Sequence, residues 1–512
     1  MSKIEDKFKK YFNLIHLPNW LIIVLVVVFI LRIPSFFEPY SYGDEMIYLT
    51  LGQGMREGLT LYKDIYDNKP PLLYILAAVA GNLFWFKAIL AFWSLATIIL
   101  FWKLSKALFP DKLKLQKVAT WIFAILTTIP LLEGNIANAE VFMVGPIILA
   151  LVILFSKKLS QQNLFFSGIL FGIATLFKVP AAFDMPVILA FWLITAGVKK
   201  ENIKNSLKKF LYIFGGFLFP IVIGLIWYFL KGALNEYISA AFLQNVGYLS
   251  SWRPSDTSQS FLEKNAPLLI RGGIVALGLA ILYLKKSKLS KQFILLTIWL
   301  LFTLFAVTLS ERPYPHYLIQ SLAPISFFLA ILFTQKTFEQ SLVIIPLALA
   351  FFTPVYFKFW YYPTGTYYSR FIKFVSGEMP RRQYLISFGS HLPLYNRIAG
   401  FLRASITEND SVFIWGPDNQ TIYALSRRLP PIKYVATYHI NDFSSKSEIA
   451  SQLSLDKPTF VIILPKSDPF PELRPTLSNS YIPIVSAREA EIWLLSGATN
   501  EIKIPKSLKK TE

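Results

Sequence analysis

Apolar residues run almost unbroken for about 18 or more positions at a time through the first 357 residues, with short polar segments between the runs. A helix of that length crosses a hydrocarbon core of about 30 Å. The pattern predicts eleven spans, over 20–37, 88–106, 118–132, 141–156, 164–181, 185–198, 210–230, 266–284, 292–309, 317–334 and 341–357. Pro71 to Phe86 is also apolar, but counting it as a span would reverse every later loop. It is expected as an interfacial or re-entrant helix packed against protein. After Phe357 the pattern shortens: 411–415, 459–464 and 491–495 read as short buried strands, with helix-like stretches such as Gln420 to Arg428 between the first two. Phe359 to Tyr368 reads as an aromatic belt where the last span leaves the bilayer. The expected architecture is a polytopic α-helical membrane protein of about eleven spans (1–357, first outer loop 38–87) with a small extracytoplasmic α/β domain (358–512). No internal repeat or low-complexity tract interrupts it.

Composition agrees: 54% of residues are apolar and 16% charged, with a mean hydropathy of +0.48, which places the chain with membrane proteins. The net charge of +20 then needs no nucleic acid to explain it. Its lysines cluster in alternate short loops, at Lys3–Lys10, Lys103–Lys117, Lys157-Lys158, Lys199–Lys209, Lys285–Lys291 and Lys336. By the positive-inside rule those loops are cytoplasmic. The N-terminus is then expected inside, and residues 358–512 outside. The run from Trp20 to Phe37 lacks a small-residue cleavage site and reads as a retained signal anchor. With no cysteine, thiolate nucleophiles and Cys-based metal sites are excluded.

The candidate chemistry gathers in the outer loops. Asp44-Glu45 follows the first span, and a carboxylate fixed at the membrane surface can act as a general base. Asp44, with the shorter side chain, is the better positioned; Glu45 is expected to assist it or to hold an ion. Lys69, in Asp67-Asn68-Lys69-Pro70-Pro71, sits on a backbone stiffened by two prolines and can pair with an interfacial phosphate. Asp64 and Asp67 have oxygen ligands to offer a metal, but structural roles suit their spacing better. Lys178, near the outer end of a span, is costly to place there and therefore a functional candidate. Glu140 opens a span from the outer side, either as a helix-dipole partner or as part of a metal or acceptor site. Arg312, Tyr314, His316 and Tyr317 share one outer loop, where the guanidinium and imidazole suit phosphate binding. Gly52-Gln53-Gly54 followed by Gly58 misses dinucleotide spacing, and there is no Walker A or His-Glu-x-x-His motif, so no nucleotide cofactor is expected.

These residues, in this order, resemble the GT-C superfamily of membrane glycosyltransferases, in the bacterial branch related to protein O-mannosyltransferases and aminoarabinose transferases. The resemblance rests on Asp44-Glu45 with Tyr48, the Tyr62-to-Pro71 segment, Asn138-Ala139-Glu140, Lys178-x-Pro180, Arg312-x-Tyr314-x-His316-Tyr317, and the Trp415-Gly416-Pro417 turn with the residues after it. It implies an inverting transfer of a sugar from a polyprenyl-phosphate donor to a lipid, glycan or protein acceptor on the outer membrane face. Asp44 would then be the base, and Lys69, Lys178, Arg312, His316 and Tyr317 would hold the donor phosphate. Some members of the superfamily use a divalent cation, for which Asp44, Glu45, Glu140 and His316 are the candidate ligands. The rival readings are an oligosaccharide ligase or polymerase using a lipid-linked glycan, and a transporter or flippase of lipid-linked sugar. The second usually shows midplane charges and inverted repeats.

Overall fold

The computed structural model describes residues 17–197, 199–244, 260–310, 312–407, 410–487 and 490–498; the Lys3–Lys10 cluster and Glu311 lie outside them. Among the described residues, nine helices are long and apolar enough to cross a membrane. They are Asn19–Phe37, Leu83–Leu108, Ala139–Ser156, Val179–Ala196, Lys200–Leu230, Asn265–Lys288, Lys291–Thr308, Pro315–Thr334 and Phe338–Tyr356. The two other expected spans are shorter. Residues 118–132 fall on the 14-residue helix Leu113–Leu126, which stops at a turn before Pro130, and 164–181 fall on the 17-residue helix Gln161–Phe177. At 1.5 Å per residue the first reaches only about 21 Å.

Burial sorts the bundle. Ala139–Ser156, Lys291–Thr308 and Pro315–Thr334 are each 72% buried, whereas Asn265–Lys288 is 6% buried and forms the periphery. Since lipid is as apolar as a leucine side chain, close backbone approach has to hold such helices together. Gln161–Phe177 and Lys200–Leu230 achieve it with glycine: a Cβ on Gly168 would lie 2.0 Å from the Ile213 carbonyl oxygen, and one on Gly216 would lie 2.0 Å from that of Phe165.

The first loop is folded rather than extended. Gly43–Arg56 is a 14-residue helix, and the apolar stretch from Pro71 forms only the nine-residue helix Leu72–Ala80. Gly81 ends it at φ 71°, and Asn82 caps the next helix by accepting the Trp85 N–H at 3.0 Å. That break keeps residues 71–86 from forming one continuous helix.

The C-terminal sheet runs β1-β2-β4-β3, with β1 Val412–Trp415, β2 Phe460–Ile463, β3 Tyr481–Ala487 and β4 Ala490–Leu495. β1 and β2 are parallel, joined through helices Gln420–Ser426, Thr437–Phe443 and Lys446–Asp456; the other pairings are antiparallel. The three strands expected from sequence are present. The unexpected β3 contains Pro483, which an edge strand tolerates, and the register shifts beside it.

This unit is tied to the first loop. Tyr66 forms a parallel bridge with Tyr434, donating its N–H to the Lys433 carbonyl at 2.9 Å, and the Gln53 amide donates to the Arg427 carbonyl at 3.0 Å. The Gly43–Arg56 and Gln420–Ser426 helices pack so closely that a Cβ on Gly43 would lie 2.7 Å from Gln420 Nε2.

Candidate active site

Asp44 occupies the first turn of the Gly43–Arg56 helix, one turn before Tyr48, and the Tyr48 hydroxyl donates to Asp44 Oδ2 at 2.9 Å. Lys69 reaches the same carboxylate at 3.5 Å and that of Asp67 at 3.9 Å. The Tyr62 hydroxyl donates to the Lys69 carbonyl at 2.7 Å, and Pro70-Pro71 follow, so the lysine backbone is held from both sides. Burial opposes charge on Asp44, but Lys69, then His316 and the Tyr48 hydroxyl, outweigh it. Asp44 therefore titrates below 3.8 and is a carboxylate at neutral pH. Its side chain remains 31% exposed.

A second cluster faces the first. Lys178 follows the end of Gln161–Phe177 in extended backbone and pairs with Glu140, its ammonium 3.6 Å from the centre of the Tyr317 ring. His316 Nε2 lies 3.7 Å from Glu140 Oε1. Both clusters line one cavity of about 890 Å³, along with Arg312, Tyr314, Asp67 and the apolar side chains of Phe183, Phe242, Leu268, Phe305 and Leu309.

Asp44, Asp67, Lys69, Glu140, Lys178, Arg312, His316 and Tyr317, separated by up to 273 positions in the chain, are thus brought together. Glu45 is not among the described residues lining the cavity. One position along the helix, it points to the opposite side, accepting from Lys87 Nζ and the Ala137 N–H, both at 2.7 Å. Lys87 also pairs with Glu38 at 2.8 Å and donates to the Asn135 carbonyl at 2.8 Å, all within the protein interior. Burial, opposed by Lys87 and reinforced by Glu38, pushes the Glu45 carboxyl up to about 7. Among the described residues no three His, Cys, Asp or Glu side chains gather as a metal-ligand set. Of the acids considered as ligands, Asp44 and Asp67 are engaged by Lys69, Glu45 by Lys87 and Glu140 by Lys178, while Asp64 accepts from the Thr60 N–H.

Several contributors escaped the sequence reading. Glu133, fully buried and at φ 58°, accepts from the Tyr42 hydroxyl at 3.2 Å and pairs with His316 Nδ1. This leaves Nε2 as the ring nitrogen on the Glu140 side, so Glu133 sets which edge of the imidazole is available. Its signal was a lone acid between apolar runs; Lys87, after Leu83-Phe84-Trp85-Phe86, offered the same signal with the opposite charge. From the C-terminal unit come Asp418, Gln420, Tyr438, His439 and Asp442. His439 Nε2 sits 3.6 Å from Asp67 Oδ1, and burial, which Asp67 only partly opposes, holds its pKa below 6.5.

Two expectations arise from this geometry. In Lys69→Met, the largest influence lowering Asp44 is gone and burial prevails, so the Asp44 pKa rises. A reaction that needs the carboxylate then loses rate at a higher pH than in wild type, and the acid limb of a kcat/KM–pH profile moves upward. Glu133→Gln, which keeps the volume and the hydrogen bonds, is expected to preserve folding while lowering turnover. Glu133→Ala leaves the buried His316 Nδ1 without its acceptor, at a cost of about 1–3 kcal/mol, and frees the half-buried Tyr42 hydroxyl, a loss visible in thermal melts.

No family model and no curated protein matches the chain. Solved structures do. ArnT from Cupriavidus metallidurans bound to undecaprenyl phosphate aligns over 93% of this chain and 98% of its own, with a TM-score of 0.55 at 14% identity. The same protein in the apo state aligns over 93% and 97%, with a TM-score of 0.53 at 12% identity. The oligosaccharyltransferase AglB from Archaeoglobus fulgidus, in complex with an inhibitory peptide and a dolichol-phosphate, aligns over 89% of this chain and 70% of its own, at 13% identity and a TM-score of 0.46. The two ArnT alignments, both with TM-scores above 0.5, outrank that of AglB in likeness of fold. The chain therefore has the fold of ArnT, shared over nearly the whole length of both proteins.

Proposed function

We propose that the chain is an inverting glycosyltransferase that moves a sugar from a polyprenyl-phosphate donor to a lipid, glycan or protein acceptor. One observation carries the reading: a single cavity joins a carboxylate, a set of cations and an apolar wall contributed largely by candidate membrane helices. The apolar wall suits a prenyl chain, the cations suit its phosphate, and Asp44 lies within 3.5 Å of one of them. In the proposed step the acceptor hydroxyl gives its proton to Asp44, and its oxygen attacks the anomeric carbon from the face opposite the phosphate. The new C–O bond forms as the anomeric carbon–phosphate oxygen bond breaks. The electron pair leaves with the polyprenyl phosphate, whose charge is met by Lys69, Lys178, Arg312 and His316. Tyr317, beneath the Lys178 ammonium, orients that lysine. The alternating lysine-rich loops support a cytoplasmic N-terminus, with the cavity and residues 358–512 on the outer face.

The test is transfer of labelled sugar from a panel of polyprenyl-phosphate sugars by the purified protein, with membrane lipid and glycan as acceptors. Label moved one sugar at a time supports the reading. Transfer of whole glycans replaces it with a ligase, and substrate movement across vesicles without a covalent product replaces it with a transporter.

A further inference from the structure

We propose that the part of the cavity walled by the C-terminal unit is an acceptor subsite for a neutral, hydroxyl-rich saccharide; this names the acceptor class left open above and rests on that reading. The inference comes from how charge is divided between the walls. Among the described residues, every lysine and arginine that lines the cavity lies between positions 69 and 312: Lys69, Lys178 and Arg312. The C-terminal unit contributes Asp418, Gln420, Tyr438, His439 and Asp442, with no Lys or Arg among them. A phosphate or carboxylate set against that wall would meet two carboxylates and an imidazole whose burial holds it neutral, so an anion belongs on the other side.

What remains suits a sugar. Tyr438 exposes 44% of its surface, offering a ring on which an apolar pyranose face can lie. The Asp418 and Asp442 carboxylates accept from hydroxyl groups, and the Gln420 amide both donates and accepts. His439, 3% exposed, backs the same wall and faces Asp67 with its Nε2. Through Asp67, which His439 approaches at 3.6 Å and Lys69 at 3.9 Å, this wall adjoins the Lys69–Asp44 pair. A saccharide seated there can present a hydroxyl to Asp44. The cavity, at about 890 Å³, is near the top of the range of small-molecule sites (about 300–1,000 Å³), enough for a donor headgroup and an acceptor ring together.

The test reads binding, so it does not depend on turnover. Saturation-transfer NMR on the full chain in nanodiscs would compare neutral trisaccharides, mannose 6-phosphate and a lysine-rich peptide. The neutral saccharides are expected to bind, Tyr438→Ala to weaken them about tenfold, and Asp442→Lys to weaken them while admitting the sugar phosphate. Undecaprenyl phosphate binding, measured on the same samples, should survive Tyr438→Ala and fall in Lys69→Met. The inference is overturned if neutral saccharides do not bind in the millimolar range, if the phosphate or peptide binds wild type better, or if both wall variants leave saccharide binding unchanged. Tyr438-dependent saccharide binding without any undecaprenyl phosphate binding would keep the subsite and remove the donor assignment instead.

Discussion

Asp44→Asn is expected to lower transfer by about 10³-fold, within the range general-base catalysis supplies, while the protein still inserts and melts near the wild-type temperature. The substitution preserves shape, and the oxygen of the new amide can still accept from the Tyr48 hydroxyl, which reaches the Asp44 carboxylate at 2.9 Å. What disappears is the group proposed to take the acceptor proton. The measurement is release of polyprenyl phosphate and gain of label by the acceptor, for wild type and variant side by side. Normal transfer by the variant would remove Asp44 from the mechanism. A fall in transfer matched by an equal fall in folded protein would return it to a structural role.

Lys87→Met is expected to be the most destabilising single change near the site. Glu38 and Glu45 share this one buried ammonium at 2.8 and 2.7 Å, and without it two buried acids lose their common partner and must take up protons or remain charged in the interior. Breaking a buried pair in this way costs about 3–5 kcal/mol, and thermal unfolding in detergent should show it as a large drop. Adding Glu38→Gln and Glu45→Gln should recover most of the loss, because the charges that needed the lysine are then gone. The pH dependence has a definite sign. Burial, against Lys87 and with Glu38, raises the folded Glu45 pKa to about 7, above the unfolded value of 4.5. Its contribution to stability is therefore complete below about pH 4.5 and lost as the pH rises through 7. Glu45→Gln should flatten that decline. A melting temperature of Lys87→Met within a degree of wild type would mean that the three charges are not held as described.

The membrane spans were legible because hydropathy over about 20 residues is a strong and local signal. The two that fell short, at Leu113–Leu126 and Gln161–Phe177, end beside Pro130 and Pro180, where a hydropathy average is blind to backbone geometry. Asp44, Lys69, Lys178 and His316 stood out because charge is costly in or near a bilayer. Their convergence is a property of the tertiary fold. Asp44 and Glu45 illustrate the limit: the sequence favoured Asp44 for its shorter side chain and by resemblance, but adjacent residues on a helix differ by about 100° in direction, and no pattern showed that Glu45 would turn away from the cavity. The helix Gly43–Arg56 was itself unforeseen, so that angle had no frame. The contributions of Gln420, Tyr438 and Asp442 depend on the C-terminal unit folding back onto a loop more than 350 positions earlier. No local pattern encodes such a contact.

The bridge between Tyr66 and Tyr434, together with the approach of Gln420 to Gly43, bears on how such a chain can diversify. The loop that carries Asp44 and the unit that faces it are fitted to one another, so the unit is not a detachable cassette. Grafting a foreign unit would disturb the seat of Asp44 before it altered selectivity. A lineage changing its acceptor would therefore retain the docking contacts and vary the side chains beside them, and relatives with different acceptors should differ at 418, 438 and 442 far more than at 43, 66 and 434.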